Sequence, residues 1–139
     1  MKYKQMKIDI FNLEQKYYLA HCISVDCRMG AGIALDMDRK FSLREKIAKI
    51  YTFVNVGDVI LIERVFNLVT KRRYYHKPTY ETLQLTLDKM EAICHDNGIK
   101  YLAMPRIGCG LDGLDWGKVN EAIKKTFNDL NIEILICYL

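Results

Sequence analysis

The sequence predicts an α/β sandwich built on a largely parallel central sheet. Three features carry that expectation. Apolar runs of strand length alternate with segments whose apolar residues recur at helical spacing, the pattern of a sheet packed between helices. The run "YYLAHCI" (17–23) is almost continuously apolar, as a central strand covered on both faces would be. Two glycine-bearing loops, "SVDCRMGAGIA" (24–34) and "MPRIGCGLDGLDWGK" (104–118), directly follow predicted strands. In open α/β sheets, ligands bind beyond those strand ends.

The elements follow in order. Met6, Ile8 and Ile10 alternate with polar residues and predict a half-buried first strand. The 17–23 run is the second. Residues 31–49 read as helical in part, with a break near Phe41-Ser42. "DVILIE" and "VFNLVT" flank Glu63-Arg64 closely enough to pair as a hairpin. Thr79, after Pro78, can cap a helix that carries Leu83, Leu87, Met90 and Cys94 on one face and stops at Gly98. "IKYLAM" (99–104) is the next strand. Asp115 can cap a second amphipathic helix with Val119, Ala122, Ile123 and Phe127 on its apolar side. "IEILICYL" (132–139) closes the chain as a strand.

Composition excludes several classes. The 139 residues suit one domain spanning 1–139, and a 50% hydrophobic content argues against disorder. No apolar run reaches the ~20 residues of a bilayer span, and no signal-peptide core follows Met1. The expectation is a cytoplasmic monomer without membrane association. The five cysteines are odd in number and read as free thiols used as small hydrophobes. His21, Cys22 and Cys27 lack the second ligand pair that a zinc site needs, so no metal is expected. A net charge of +4 permits an anionic ligand without demanding nucleic acid. The local run "KRRYYHK" (71–77) reads either as a solvated loop or as an anion or single-strand surface.

The glycine loops point to the first kind of ligand. Gly30, Ala31 and Gly32 lead into a helix, whose N-terminal N–H groups favour negative charge. Gly108, Cys109 and Gly110 offer the same on a neighbouring strand end. Together they suit a diphosphate, and a pair of tight turns is the alternative. Neither a Walker loop nor a G-x-G-x-x-G fingerprint is present.

"AHCISVDCRMGAGIA" (20–34), "VTKRRYYHKPTYE" (69–81) and "PRIGCGLDGLDW" (105–116) together resemble the macrodomain family, and within it the terminal ADP-ribose protein glycohydrolase branch. The resemblance runs from about Lys7 to Leu139. It implies a three-layer sandwich with a mixed sheet and ADP-ribose in a cleft across its top. Asp9, followed by Ile10, falls where the family places an acidic residue against the adenine amino group; the family usually has glycine where this chain has Ile8. Gly30, Ala31, Gly32 and Ile33 fall on the loop along the pyrophosphate and distal ribose. Gly108, Cys109, Gly110 and Leu111 fall on the second phosphate loop. His21-Cys22-Ile23-Ser24 stands where many other macrodomains carry an asparagine-rich stretch, and Ser24 is included among the ligand-binding positions.

The resemblance also implies the chemistry. Lys71 matches a lysine that attacks the anomeric carbon of the distal ribose, and Asp112 matches a carboxylate that assists and then resolves the adduct. A neutral amine can form a Schiff base with an opened sugar, and a neighbouring carboxylate can move its protons. Taken alone, Lys71 reads as a solvated or phosphate-contacting base and Asp112 as a turn residue or loop staple; the family match is what favours catalysis. The implied activity is hydrolytic release of ADP-ribose from protein acidic side chains, with deacylation of O-acetyl-ADP-ribose in the same cleft and no cofactor. Removal of ADP-ribose from DNA bases, as in antitoxin macrodomains, and non-catalytic ADP-ribose binding are the alternatives.

Overall fold

The computed structural model describes residues 1–139. Six strands form one sheet: β1 (Lys2–Lys7), β2 (Tyr18–Ser24), β3 (Val59–Ile62), β4 (Val65–Lys71), β5 (Tyr101–Met104) and β6 (Glu133–Tyr138). Their spatial order is β1-β6-β5-β2-β4-β3. Every neighbouring pair is parallel except β3–β4. The sheet is therefore mixed, and five strands finish on one edge. Helices α1 (Gly32–Phe41) and α2 (Leu43–Ile50) cover one face, while α3 (Tyr80–Asn97) and α4 (Trp116–Phe127) cover the other.

Local chemistry explains the boundaries. Ser42 adopts a left-handed conformation (φ 54°) and splits α1 from α2, where the sequence placed a break. The Asp38 carboxylate accepts from Arg44 N–H at 2.9 Å, satisfying an N-terminal donor of the second helix. Thr79 and Thr82 exchange the two bonds of a capping box at the start of α3, and Gly98 (φ 63°) ends it. Asp115 accepts from Lys118 N–H and starts α4. The β3–β4 hairpin turns at Glu63, another positive-φ residue.

Each face of the sheet has its own core. Phe66, Leu68, Leu83, Leu87, Met104 and Phe127 are fully buried beneath α3 and α4. Leu19, Val69, Met37, Leu43, Val65 and Ala103 are fully buried beneath α1 and α2. A sheet buried on both faces explains why β2 and β4 read as nearly continuous apolar runs. His21 is the polar exception inside β2: its Nε2 meets Asn67 Oδ1 at 2.6 Å, and Asn67 donates in turn to Ile60 and Val65 carbonyls at 3.0 and 3.2 Å. This polar link ties β2 to the hairpin. Burial holds the imidazole at about 4 despite Asn67 and the Asp38 charge, so it is neutral.

The first strand departs from expectation. The alternation of Met6, Ile8 and Ile10 predicted a half-buried strand through all three, but β1 ends at Lys7. It is an edge strand, exposed at every residue except the half-buried Tyr3. Asp9 accepts from Phe11 N–H at 3.0 Å and turns the chain into a single 3₁₀ turn (Ile10–Asn12), burying Ile10 under the sheet edge. The apolar spacing reflected that turn and not the pleat. No helix is long and apolar enough to cross a membrane.

Candidate active site

The parallel strands deliver their carboxyl ends to one edge of the sheet, and three adjoining cavities lie there. The first, about 820 Å³, is lined by Asp9, Ile10, Ile33, Arg106 and Tyr138, among others. The second, about 850 Å³, runs between the start of α1 (Ala31–Ala34) and the loop Pro105–Trp116. The third, about 250 Å³, is lined by Ser24, Gly30, Ala31, Lys71 and Tyr74. Ile33, Pro105 and Arg106 border the first two cavities, and Cys22, Ala31 and Ala34 border the last two. The three thus form one continuous cleft, with Asp9 at one end and Lys71 at the other.

Lys71 closes β4. Ile23 pairs with Val69 but Ser24 pairs with Lys71, so Thr70 is an extra residue in β4. Such a bulge re-aims the side chain that follows it. Lys71 Nζ donates to Asp112 Oδ1 at 2.7 Å, and the two side chains are only 14% and 18% exposed. Asp112 reaches it from a 3₁₀ turn (Gly110–Asp112) in the loop after β5. Four further bonds fix that loop. Lys77 Nζ donates to the Leu111 carbonyl. Gly113 N–H bonds Gly110 O at 3.1 Å, and Leu114 N–H bonds Gly108 O at 2.9 Å. Asp115 N–H donates to Tyr80 Oη at 3.0 Å. Gly108 requires its glycine: φ is 73°, and a Cβ there would lie 2.9 Å from Leu114 Cδ1.

On the opposite wall, Ala31 occupies the N-cap of α1 without any side-chain cap bond. The first N–H groups of that helix line the second cavity unclaimed by a side chain, which suits an anion. Gly30 and Gly32 have open space where a Cβ would stand. At the Asp9 end, one carboxylate oxygen is occupied by Phe11 N–H. That bond orients the group at the mouth of the first cavity.

Ser24 is nearly fully buried, and its hydroxyl donates to Asp26. Asp26 also accepts from Tyr74 N–H at 3.1 Å. Burial works against its charge, but the Ser24 hydroxyl, the N–H groups of Tyr74 and Arg28, and the Arg73 guanidinium hold its carboxyl below the usual range. Ser24 therefore braces the loop Arg72–Lys77 through Asp26, while also lining the third cavity. Cys22 sits beside the Lys71–Asp112 pair; burial and the Asp112 charge push its thiol up to about 12. Cys109 is pushed up by burial and by Asp115. Neither thiol is poised as a nucleophile. All five cysteines are free, and no cluster of three His, Cys, Asp or Glu side chains is placed to hold a metal ion.

The site residues named from sequence gather on this one cleft. The sequence does not single out Asp26, Tyr80 or Arg106, and it marks Lys77 only as part of the basic run 71–77. Asp26 adjoins a glycine loop and Arg106 follows the proline after β5; those positions were the available signals. Tyr80 and Lys77 act across more than thirty residues of sequence, where no local pattern reaches.

The comparisons with known proteins agree with this geometry. A family model for the Macro domain matches residues 26–123. The human protein named ADP-ribose glycohydrolase OARD1 is 42% identical over 135 residues, covering 94% of this chain and 88% of its own, and the bovine protein of that name matches equally. Among solved structures, the macrodomain of Mycobacterium tuberculosis DarG superposes with a TM-score of 0.87 at 21% identity, covering 99% of this chain and 97% of its own. Thermosipho africanus DarTG in complex with ADP-ribose gives 0.84 at 21% identity, covering 98% of this chain and 41% of that one. With its sheet order, its strand-end cleft and these matches together, the chain belongs to the Macro domain family.

Proposed function

We propose that this chain is an ADP-ribosyl glycohydrolase that releases ADP-ribose from modified acidic side chains of proteins, with Lys71 as nucleophile and Asp112 as its proton partner. The observation that carries the reading is the shielded Lys71–Asp112 pair, 2.7 Å apart, at one end of a cleft whose other end presents Asp9. The 42% identity to proteins named ADP-ribose glycohydrolase supports the activity class. In this reading the adenine amino group meets Asp9. The diphosphate lies between the start of α1 and the Gly108–Leu111 loop, and the distal ribose reaches Lys71.

The chemistry follows from the pair. Only a neutral amine attacks carbon, and Asp112 is within reach of the Lys71 proton. The Nζ–C1″ bond forms as the C1″–O bond to the carboxylate breaks, releasing the protein side chain. Opening of the ribose ring gives a Schiff base to Lys71. Water then adds to that carbon, and proton return through Asp112 expels the amine and frees ADP-ribose. Deacylation of O-acetyl-ADP-ribose would use the same cleft.

The loop 71–77 favours a second reading, release from ADP-ribosylated DNA. Arg28 stacks over Tyr74 at 4.8 Å, and Tyr74 and Tyr75 are largely exposed beside Lys71. Basic groups interleaved with exposed aromatics suit a single strand. Incubating the protein separately with mono-ADP-ribosylated protein and ADP-ribosylated DNA, with mass spectrometry of the products, tests both. Free ADP-ribose from the protein substrate supports the first reading, and release from DNA alone supports the second. Binding without release from either makes the domain a reader.

A further inference from the structure

Arg106 is placed unlike any other cation in the molecule. It follows Pro105 in the loop after β5 and borders both the cavity beside Asp9 and the cavity between the two glycine loops. It is the only Lys or Arg lining the second of these, where two carboxylates, Asp112 and Asp115, also lie. A diphosphate entering that space meets backbone N–H dipoles and two carboxylates: Asp112, which Lys71 pairs at 2.7 Å, and Asp115, which no lysine or arginine pairs. None of the six ion pairs of the chain involves Arg106. Arg64 is the only arginine whose guanidinium is hydrogen-bonded within the chain. The five N–H donors of Arg106 are therefore unspent.

Its position is nonetheless defined. The guanidinium lies 4.7 Å from the centre of the Tyr138 ring and 5.7 Å from that of Trp116. The Trp116 ring is itself held by a 3.2 Å hydrogen bond from Nε1 to Gln5 on β1. Aromatic faces attract a guanidinium without consuming its in-plane donors. Tyr138 and Trp116 thus hold Arg106 at the seam of the two cavities with its hydrogen-bonding edge free.

We propose that Arg106 is the specificity-determining residue that recognises the adenosine-side phosphate, and that it gives the cleft its preference for a phosphorylated nucleoside over a neutral one. The inference rests on the reading of the cleft as an ADP-ribose site, in which the seam falls between adenine at Asp9 and the diphosphate. The glycine loops supply shape and dipoles. Arg106 supplies the positive charge that makes a dianion welcome beside Asp115, the carboxylate of this cavity that no lysine or arginine pairs. A hydrogen bond to a charged group, lost from one side, corresponds to about a ten- to hundred-fold change in affinity.

Titration of the wild type, Arg106→Gln and Arg106→Lys with ADP-ribose, AMP and adenosine, followed by NMR, tests it. Arg106→Gln should weaken ADP-ribose and AMP by about ten- to a hundred-fold and leave adenosine unchanged. Arg106→Lys should retain part of the AMP preference, since it keeps the charge and loses the planar fork. Thermal melting alongside establishes that each variant is folded. Equal weakening of all three ligands by Arg106→Gln would reduce Arg106 to a prop for the aromatic wall. Unchanged affinities in that variant would overturn the proposal while leaving the ADP-ribose site standing. A wild type that binds none of the three would overturn the site and the proposal together.

Discussion

Replacing Asp112 by alanine separates the chemistry of the cleft from its architecture. The carboxylate contributes one side-chain bond, to Lys71, whereas its loop is fixed independently by Lys77, Tyr80 and the Gly110–Gly113 and Gly108–Leu114 backbone bonds. Both members of the pair are more than four-fifths shielded, so the bond resembles a partly buried charge-assisted one. Its loss should cost about 2 kcal/mol, and for a chain of this length that lowers Tm by about 5–10 °C. The fold should survive this at 25 °C. ADP-ribose should bind as well as before or slightly better, because a negative charge beside the diphosphate has gone. Turnover should fall by about 100- to 10,000-fold, the usual contribution of a positioned acid–base group. If Lys71 still forms its adduct, intact-mass spectra after incubation with substrate should show an added ADP-ribosyl mass. A folded Asp112→Ala protein that keeps turnover within a few-fold of the wild type refutes the assignment and returns Asp112 to a loop residue.

Lys71→Ala should abolish turnover while calorimetry still records ADP-ribose binding, and borohydride trapping in the wild type should label Lys71; an adduct on another lysine reassigns the nucleophile. Asp9→Ala should weaken ADP-ribose binding by about ten-fold or more, since a base amino group loses its acceptor in a partly enclosed site; unchanged calorimetric affinity would move adenine elsewhere. His21 should make stability acid-sensitive: the unfolded imidazole takes a proton near 6.5 and the folded one only near 4, so its contribution is complete above about pH 6.5 and is lost as pH falls toward 4. That gap corresponds to about 3 kcal/mol, and denaturant titrations at pH 7 and pH 4.5 should show most of it in the wild type and little in His21→Gln; equal pH dependence in both proteins would place the acid sensitivity on other groups.

Much of the fold was legible because its determinants are local. Thr79, Gly98 and Asp115 cap or end helices through neighbours within a few residues, and the break at Ser42 and the hairpin at Glu63 are equally short-range. The first strand was misjudged because an edge strand carries little inside–outside contrast. Its apolar neighbours, Ile8 and Ile10, were serving a turn set by Asp9. Periodicity reports burial, and burial at a sheet edge is set by what lies across space.

The same distinction divides the site. Glycine loops after strands are visible in sequence, and family motifs marked Lys71, Asp112 and Asp9. What no motif supplies is the order in which they meet a ligand. That order comes from topology. Because β1, β6, β5, β2 and β4 are all parallel, their following segments emerge on one edge, in the spatial order of the strands and not of the chain. Asp9 after β1 and Lys71 at the end of β4 therefore stand at opposite ends of the cleft, with the segments after β6, β5 and β2 between them. The bulge at Thr70 adds a second layer that a strand-length run conceals, since only the partner register shows that β4 spends one residue more than β2 before Lys71. Arg106 escapes sequence reading for the same reason. Its freedom from ion pairs and its support by Tyr138 and Trp116 depend on β5, β6 and α4 coming together, and only the folded sheet makes those three neighbours.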